Sequence, residues 1–195
     1  LAETILFLIS KNTSDAIKVV EEILFDFDKN FNNSLDILSS RKLGLKNNSK
    51  KTSSLYFELL NLMEACKADF TGTFKSLKAT LIKEDDTIFL NNFRNSDEEN
   101  QHDVNKWLGN WKKLLQENSK SKTEAIGLIS SSNPEFIMRN HLVEQAIGKA
   151  TKGDYSDFEI LCDLLITPFE VKENHETFYN GPRAREVVHQ TFCGT

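Results

Sequence analysis

The residues best placed to do chemistry stand in "SSNPEFIMRNHLVEQAI", positions 131–147. Read as a helix opened by Asn133 as N-cap and Pro134 at its first turn, the stretch follows standard start signals. At about 100° per residue, Phe136, Val143, Ala146, Ile147 and Ala150 then share one face, and Arg139 and Asn140 fall on it too. His141, Glu144 and Gly148 lie on the opposite, wet side. A guanidinium facing a core must be paired, since an unpaired buried charge costs several kcal/mol. Arg139 therefore needs a carboxylate, a set of carbonyls or a phosphate, all of which suit its fork. Either it clamps the helix to a neighbouring loop or domain, or it binds a ligand.

Other reactive groups are sparser. "ADFTG" (68–72) has an Asp-Phe pair like that of kinase metal sites, but Gly comes one position late and Asp69 reads as a helix cap. A kinase-like site also needs a Gly-rich loop, a strand Lys and a catalytic-loop Asp and Asn. The chain has none of these motifs. Glu98 and His102 are four apart beside Glu99 and Asp103, a spacing that can hold a metal but also suits a solvated acidic turn. His189 and Cys193 are four apart as well, and on a helix the imidazole would lower the thiol's pKa. Three widely spaced cysteines do not form a secreted disulfide framework, so a reducing compartment is expected.

The elements that must position these groups are helical. Eight Gly and three Pro in 195 residues are too few turn residues for an all-β fold. The expected fold is all-α, an irregular bundle of about seven or eight helices over 1–168, with an extended tail over 169–195. Leu1 to Ile9 reads as a helix already under way. Ser14 is placed to cap a long helix with a stripe of Ile17, Val20, Leu24, Phe27, Phe31, Leu35 and Leu38, closed by Gly44. "RKLGLKNNSKK" (41–51) reads as a solvated basic loop. Leu55, Leu59, Leu62, Met63 and Cys66 stripe the next helix; Cys66 and Cys162 both read as core. Residues 83–103 read as acidic and irregular. Val104, Trp107, Leu108, Trp111, Leu114 and Leu115 define an amphipathic helix. Ser156 and Glu159 have the capping-box spacing, with Tyr155 and Ile160 as its staple. A net charge of −5 argues against a general nucleic-acid binder. The longest apolar run, "ILFLI" (5–9), is too short to span a bilayer.

"RKLGL" (41–45), "LLNLMEACKADFTGTFKSL" (59–77), "WLGNW" (107–111), "NPEFIMRNHLVEQAI" (133–147), "KGDYSDFEIL" (152–161), "PF" (168–169) and "TFCGT" (191–195) occur here in this order. Together they resemble the selenoprotein O family, the pseudokinase-fold protein adenylyltransferases. The resemblance covers nearly the whole chain and matches the family's C-terminal helical portion. It implies an enzyme at least twice this size. Its N-terminal kinase-like domain would bind ATP with Mg²⁺ or Mn²⁺ and transfer AMP to Ser, Thr or Tyr hydroxyls of proteins. None of the nucleotide- or metal-binding residues maps onto positions 1–195, so the chain alone is expected to be inactive and without cofactor. The implied partners are that missing domain and the enzyme's protein substrates, with no nucleic acid and no membrane. Localisation would be cytoplasmic in a bacterium and mitochondrial in a eukaryote. Cys193 stands where the family's selenoproteins place selenocysteine, which implies a redox role. Arg139, Asn140 and Asn133 are expected to be structural or domain-contact residues. Two other readings stay open, an independent helical interaction module and a thiol redox element at Cys193.

Overall fold

A computed structural model describes residues 3–46, 49–118, 121–188 and 190, with only the backbone described at Ala184. The described residues form nine α-helices, four 3-10 turns and no strand. In order these are α1 (Leu6–Ile9), α2 (Thr13–Lys42), α3 (Lys50–Cys66), α4 (Phe70–Lys83), α5 (Thr87–Leu90), α6 (Glu98–Asn118), α7 (Lys122–Ser132), α8 (Asn140–Ala150) and α9 (Ser156–Ile166). The expected all-α fold is therefore observed. Among the described residues no helix is long and apolar enough to cross a membrane.

The long helix is capped by Asn12, whose Oδ1 accepts from the Ser14 amide at 3.0 Å, and not by Ser14 itself. It runs unbroken through Asn32, Asn33 and Ser34 and ends in a Schellman turn. Leu45 N–H donates to Ser40 O (2.9 Å), Gly44 N–H donates to Arg41 O (3.0 Å), and Gly44 adopts φ +75°. The 41–51 segment is thus no solvated loop throughout, since Leu43 and Leu45 are fully buried. A Cβ on Gly44 would also come within 3.0 Å of Ala125 O and the Ile129 side chain. Gly44→Ala should cost about 1–2 kcal/mol, from the left-handed backbone and the displaced α7. A urea melt reads it, and an unchanged midpoint would mean that the turn relaxes freely.

The larger core joins Leu43 and Leu45 to α3, α4, α6, α7 and the α5 region. Trp107 and Trp111 stack along α6 with centroids 6.1 Å apart. Both indoles are satisfied by backbone carbonyls, Trp107 Nε1 by Leu55 O (2.8 Å) and Trp111 Nε1 by Leu43 O (2.9 Å). Each Trp thus fills the core and ties α6 to a different element. The 83–103 segment is more ordered than its composition suggests. It holds α5 and a 3-10 turn at Asn91–Phe93, because Phe89 and Phe93 anchor it in the core. The α6 helix begins inside it at Glu98. Cys66 packs partly buried against this core.

A smaller core holds Phe136, Leu142, Ala146, Leu161 and Leu164, with Ile160, Phe178 and Tyr179 against it. Helices α8 and α9 pack on each other here. The capping box expected at Ser156 and Glu159 does not form. The Asp154 carboxylate takes the Ser156 amide instead (3.0 Å), leaving Tyr155 as an exposed N-cap. Cys162, expected in the core, is exposed, because α9 turns Leu161 and Leu164 inward.

Candidate functional site

Between the two cores runs an extended strap, residues 133–139. The helix expected to start at Asn133 starts at Asn140 instead, with Arg139 as its N-cap. Asn133 is the C-cap of α7, at φ −126° and ψ 111°. Two causes account for the change. Pro134 drives the residue before it into extended backbone. The amides of Glu135 and Phe136 both donate to Pro168 O (2.8 and 3.0 Å), which takes them out of any local helix.

The later start also changes the faces. Phe136 lies on the strap, and α8 buries Leu142, Ala146 and His141. His141, expected on the wet side, is buried, and Ile147, expected in the core, is 52% exposed. Asn140 is exposed.

Each strap anchor reaches back to the larger core. The Asn133 side-chain amide donates to Lys42 O (3.0 Å) and Ile129 O (2.9 Å), and its Oδ1 accepts from Lys42 Nζ (2.9 Å). The same ammonium lies 4.9 Å from the centre of the Phe74 ring, and burial pushes its pKa down. Glu135 is 6% exposed and pairs with two α4 lysines. Lys75 reaches its Oε2 (3.3 Å) and its backbone O (3.1 Å), and Lys78 donates to Oε1.

Arg139 Nη1 and Nη2 donate to the two Asp69 oxygens at 2.6 and 2.9 Å, a fork-on-fork pair. Asp69 also caps α4, accepting from the Gly72 amide at 2.6 Å. One carboxylate therefore starts α4 and holds the strap. The Arg139 bond is the main reason its pKa lies below the ordinary carboxylate range; partial burial opposes this, and the Gly72 bond adds to it. Sequence reasoning placed Asp69 as a cap and left the partner of Arg139 open. It missed Glu135 altogether. The available signal was Lys75 and Lys78, three apart on one face of α4.

The strap is also roofed by the segment after α9. Phe136 meets Tyr179 edge to face at 6.2 Å, Lys75 Nζ lies 5.1 Å from the centre of the Tyr179 ring, and the Tyr179 hydroxyl accepts from the Lys172 amide (2.8 Å). Burial lowers the His141 pKa, Glu186 opposes that shift and Arg139 adds to it.

The arrangement binds itself. Among the described residues, the strap's cations Lys42, Lys75, Lys78 and Arg139 are each engaged by groups of the chain itself. A cleft of about 400 Å³ between α4, α6 and α7 is similar in this respect. Its Lys112 and Lys122 are held by Asp86 (2.5 Å) and Glu84 (2.5 Å). Among the described residues no group of three His, Cys, Asp or Glu could hold a metal ion. Glu98, His102 and Asp103 thus stand on α6 without forming such a group. Cys193 and His189 lie outside the described residues.

Comparison with known proteins gives a consistent picture. Residues 1–166 match the family model described as protein adenylyltransferase SelO. A protein nucleotidyltransferase YdiU of Bacillus cereus (strain AH187) is 31% identical over 196 residues, spanning 100% of this chain and 38% of its own length. A protein of the same name from Clostridium botulinum (strain 657 / Type Ba4) is 34% identical with the same coverage. The chain thus spans 38% of the length of these curated relatives.

Proposed function

Because the chain belongs to the SelO protein adenylyltransferase family, we propose that residues 1–195 act as the C-terminal accessory region of such an enzyme and do no chemistry alone. In this reading a kinase-like domain N-terminal to the region binds ATP with Mg²⁺ or Mn²⁺ and transfers AMP to Ser, Thr or Tyr hydroxyls of protein substrates. The observation that carries the reading is the strap. The residues that looked most chemical, Arg139, Asn133 and Asp69, are engaged with one another's elements. Their role is to brace, by fixing α8 and α9 against the larger core. Coverage of only 38% of the relatives' length supports the rest.

Intact-mass spectrometry tests the proposal. The 195-residue chain and the full-length polypeptide are each incubated with ATP and Mg²⁺ or Mn²⁺ beside a protein acceptor. Only the full-length protein should gain or transfer AMP, seen as the mass of an adenylyl group. AMP gained by catalysis of the chain alone would refute the accessory role.

A second reading is an independent helical module that recruits proteins, and the apolar exposure of α2 favours it. Binding to the kinase-like domain supplied in trans separates the first reading from this one. The thiol reading at Cys193 rests on the family resemblance and on its four-residue spacing from His189.

A further inference from the structure

Helix α2 is about 45 Å long, and among the described residues only its two ends are packed. Ala16 is buried near the first turn, and Ser39 and Ser40 near the last. Between them Ile23, Leu24, Phe25, Phe27 and Phe31 are each more than half exposed, and Leu38 beyond them is 56% exposed. At about 100° per residue, Ile17, Val20, Leu24, Phe27, Phe31, Leu35 and Leu38 fall within about 80° of arc. Val19, Ile23 and Ile37 widen the apolar arc to about 160°. A surface helix with an apolar stripe this wide normally turns it onto a core. Here it faces outward, with Phe27 and Phe31 stacked on each other at 6.0 Å. Phe7 and Leu8 of α1 extend the same exposure.

We infer that this arm is the docking surface for the larger part of the polypeptide that the relatives carry beyond the matched 38%, an inference that rests on the accessory reading above. The occupant offers an apolar groove with a basic rim. Residues 13–34 carry five carboxylates and two lysines, so the polar flank of the arm is acidic. That charge disfavours a second copy, whose own acidic flank would meet it across the seam. A contiguous exposed apolar stripe rimmed by polar residues is also the ordinary mark of an interaction site.

Hydrogen exchange read by mass spectrometry, on peptides within 17–34, tests this in the 195-residue chain and in the full-length polypeptide. The arm's amides should exchange at least tenfold more slowly in the full-length protein. Equal rates in the two would overturn the inference. So would protection in the 195-residue chain that grows with its concentration alongside a dimer mass, because the occupant would then be a second copy. A double variant, Phe27→Asp with Phe31→Asp, gives an independent reading. It should lower the melting temperature of the full-length protein by several degrees and leave that of the 195-residue chain unchanged; an equal effect on both would contradict docking. The two proposals fail separately. AMP transfer by the chain alone removes the accessory reading, whereas an unprotected arm in a full-length enzyme that alone transfers AMP removes only the docking surface.

Discussion

Glu135→Ala is expected to destabilise the chain by about 2–4 kcal/mol. Its carboxylate is nearly out of water and forms ion pairs with two ammonium groups, Lys75 and Lys78, each about a quarter exposed. Removing one partner of a buried ion pair typically costs about 3–5 kcal/mol, because the other charge is left uncompensated. The access of both lysines to water lowers that figure. Their mutual repulsion, no longer offset, keeps it well above a surface pair. Glu135→Gln retains the shape and one acceptor oxygen, so it should lose about half as much. Urea unfolding of the two variants reads the difference. Equal and small losses would mean that the lysines simply swing into solvent, and that the strap is held by Pro168 O and Asn133.

Asp69→Ala is expected to cost about 2–3 kcal/mol from two sources. Losing the cap over Gly72 accounts for about 1 kcal/mol. Stranding Arg139, whose side chain is 12% exposed, accounts for the remainder, discounted because Asp69 itself is 39% exposed. Asp69→Asn should separate the two, since its oxygen still accepts from Gly72 while the charge on Arg139 goes unanswered. In a double-mutant cycle with Arg139→Ala the losses should fall short of additive by about 1 kcal/mol or more.

The pH dependence has a definite sign. The Asp69 pKa is lower folded than unfolded, so its contribution is full above the ordinary aspartate value of about 3.9 and disappears as pH falls through the folded value. His141 acts in a different window. A base with a lowered folded pKa contributes fully above its unfolded value of about 6.5, and that contribution declines as pH falls below it. Wild type should therefore begin to lose stability below about pH 6.5, and Asp69→Asn should flatten only the fall below about pH 4.

The fold class was legible because its signals are local. Sparse turn residues, the 3.6-residue period around Trp107 and Trp111, and Asp69 before Phe70 all act within a few residues of themselves. Arg139 also carried information, since a guanidinium near a core needs a partner. Which partner could not be read, because Asp69 lies 70 residues away and its own capping role was sufficient to explain it. The start of α8 was misread for the same kind of reason. Asn-Pro is a sound local signal for a helix start, and here Pro168 O and the two α4 lysines override it from a distance. That one displacement moved His141 inward and Ile147 outward. The stripe on α2 was legible as a stripe, but periodicity records that a face is apolar without recording what covers it.

In the proposed accessory role the strap braces the enzyme and does no chemistry. Arg139→Ala in the full-length polypeptide tests this most directly, with AMP transfer per folded molecule and melting temperature measured on the same sample. The expected result is a lower melting temperature with a nearly unchanged transfer rate well below it. Lost transfer at an unchanged melting temperature would contradict the account and place Arg139 in the reaction.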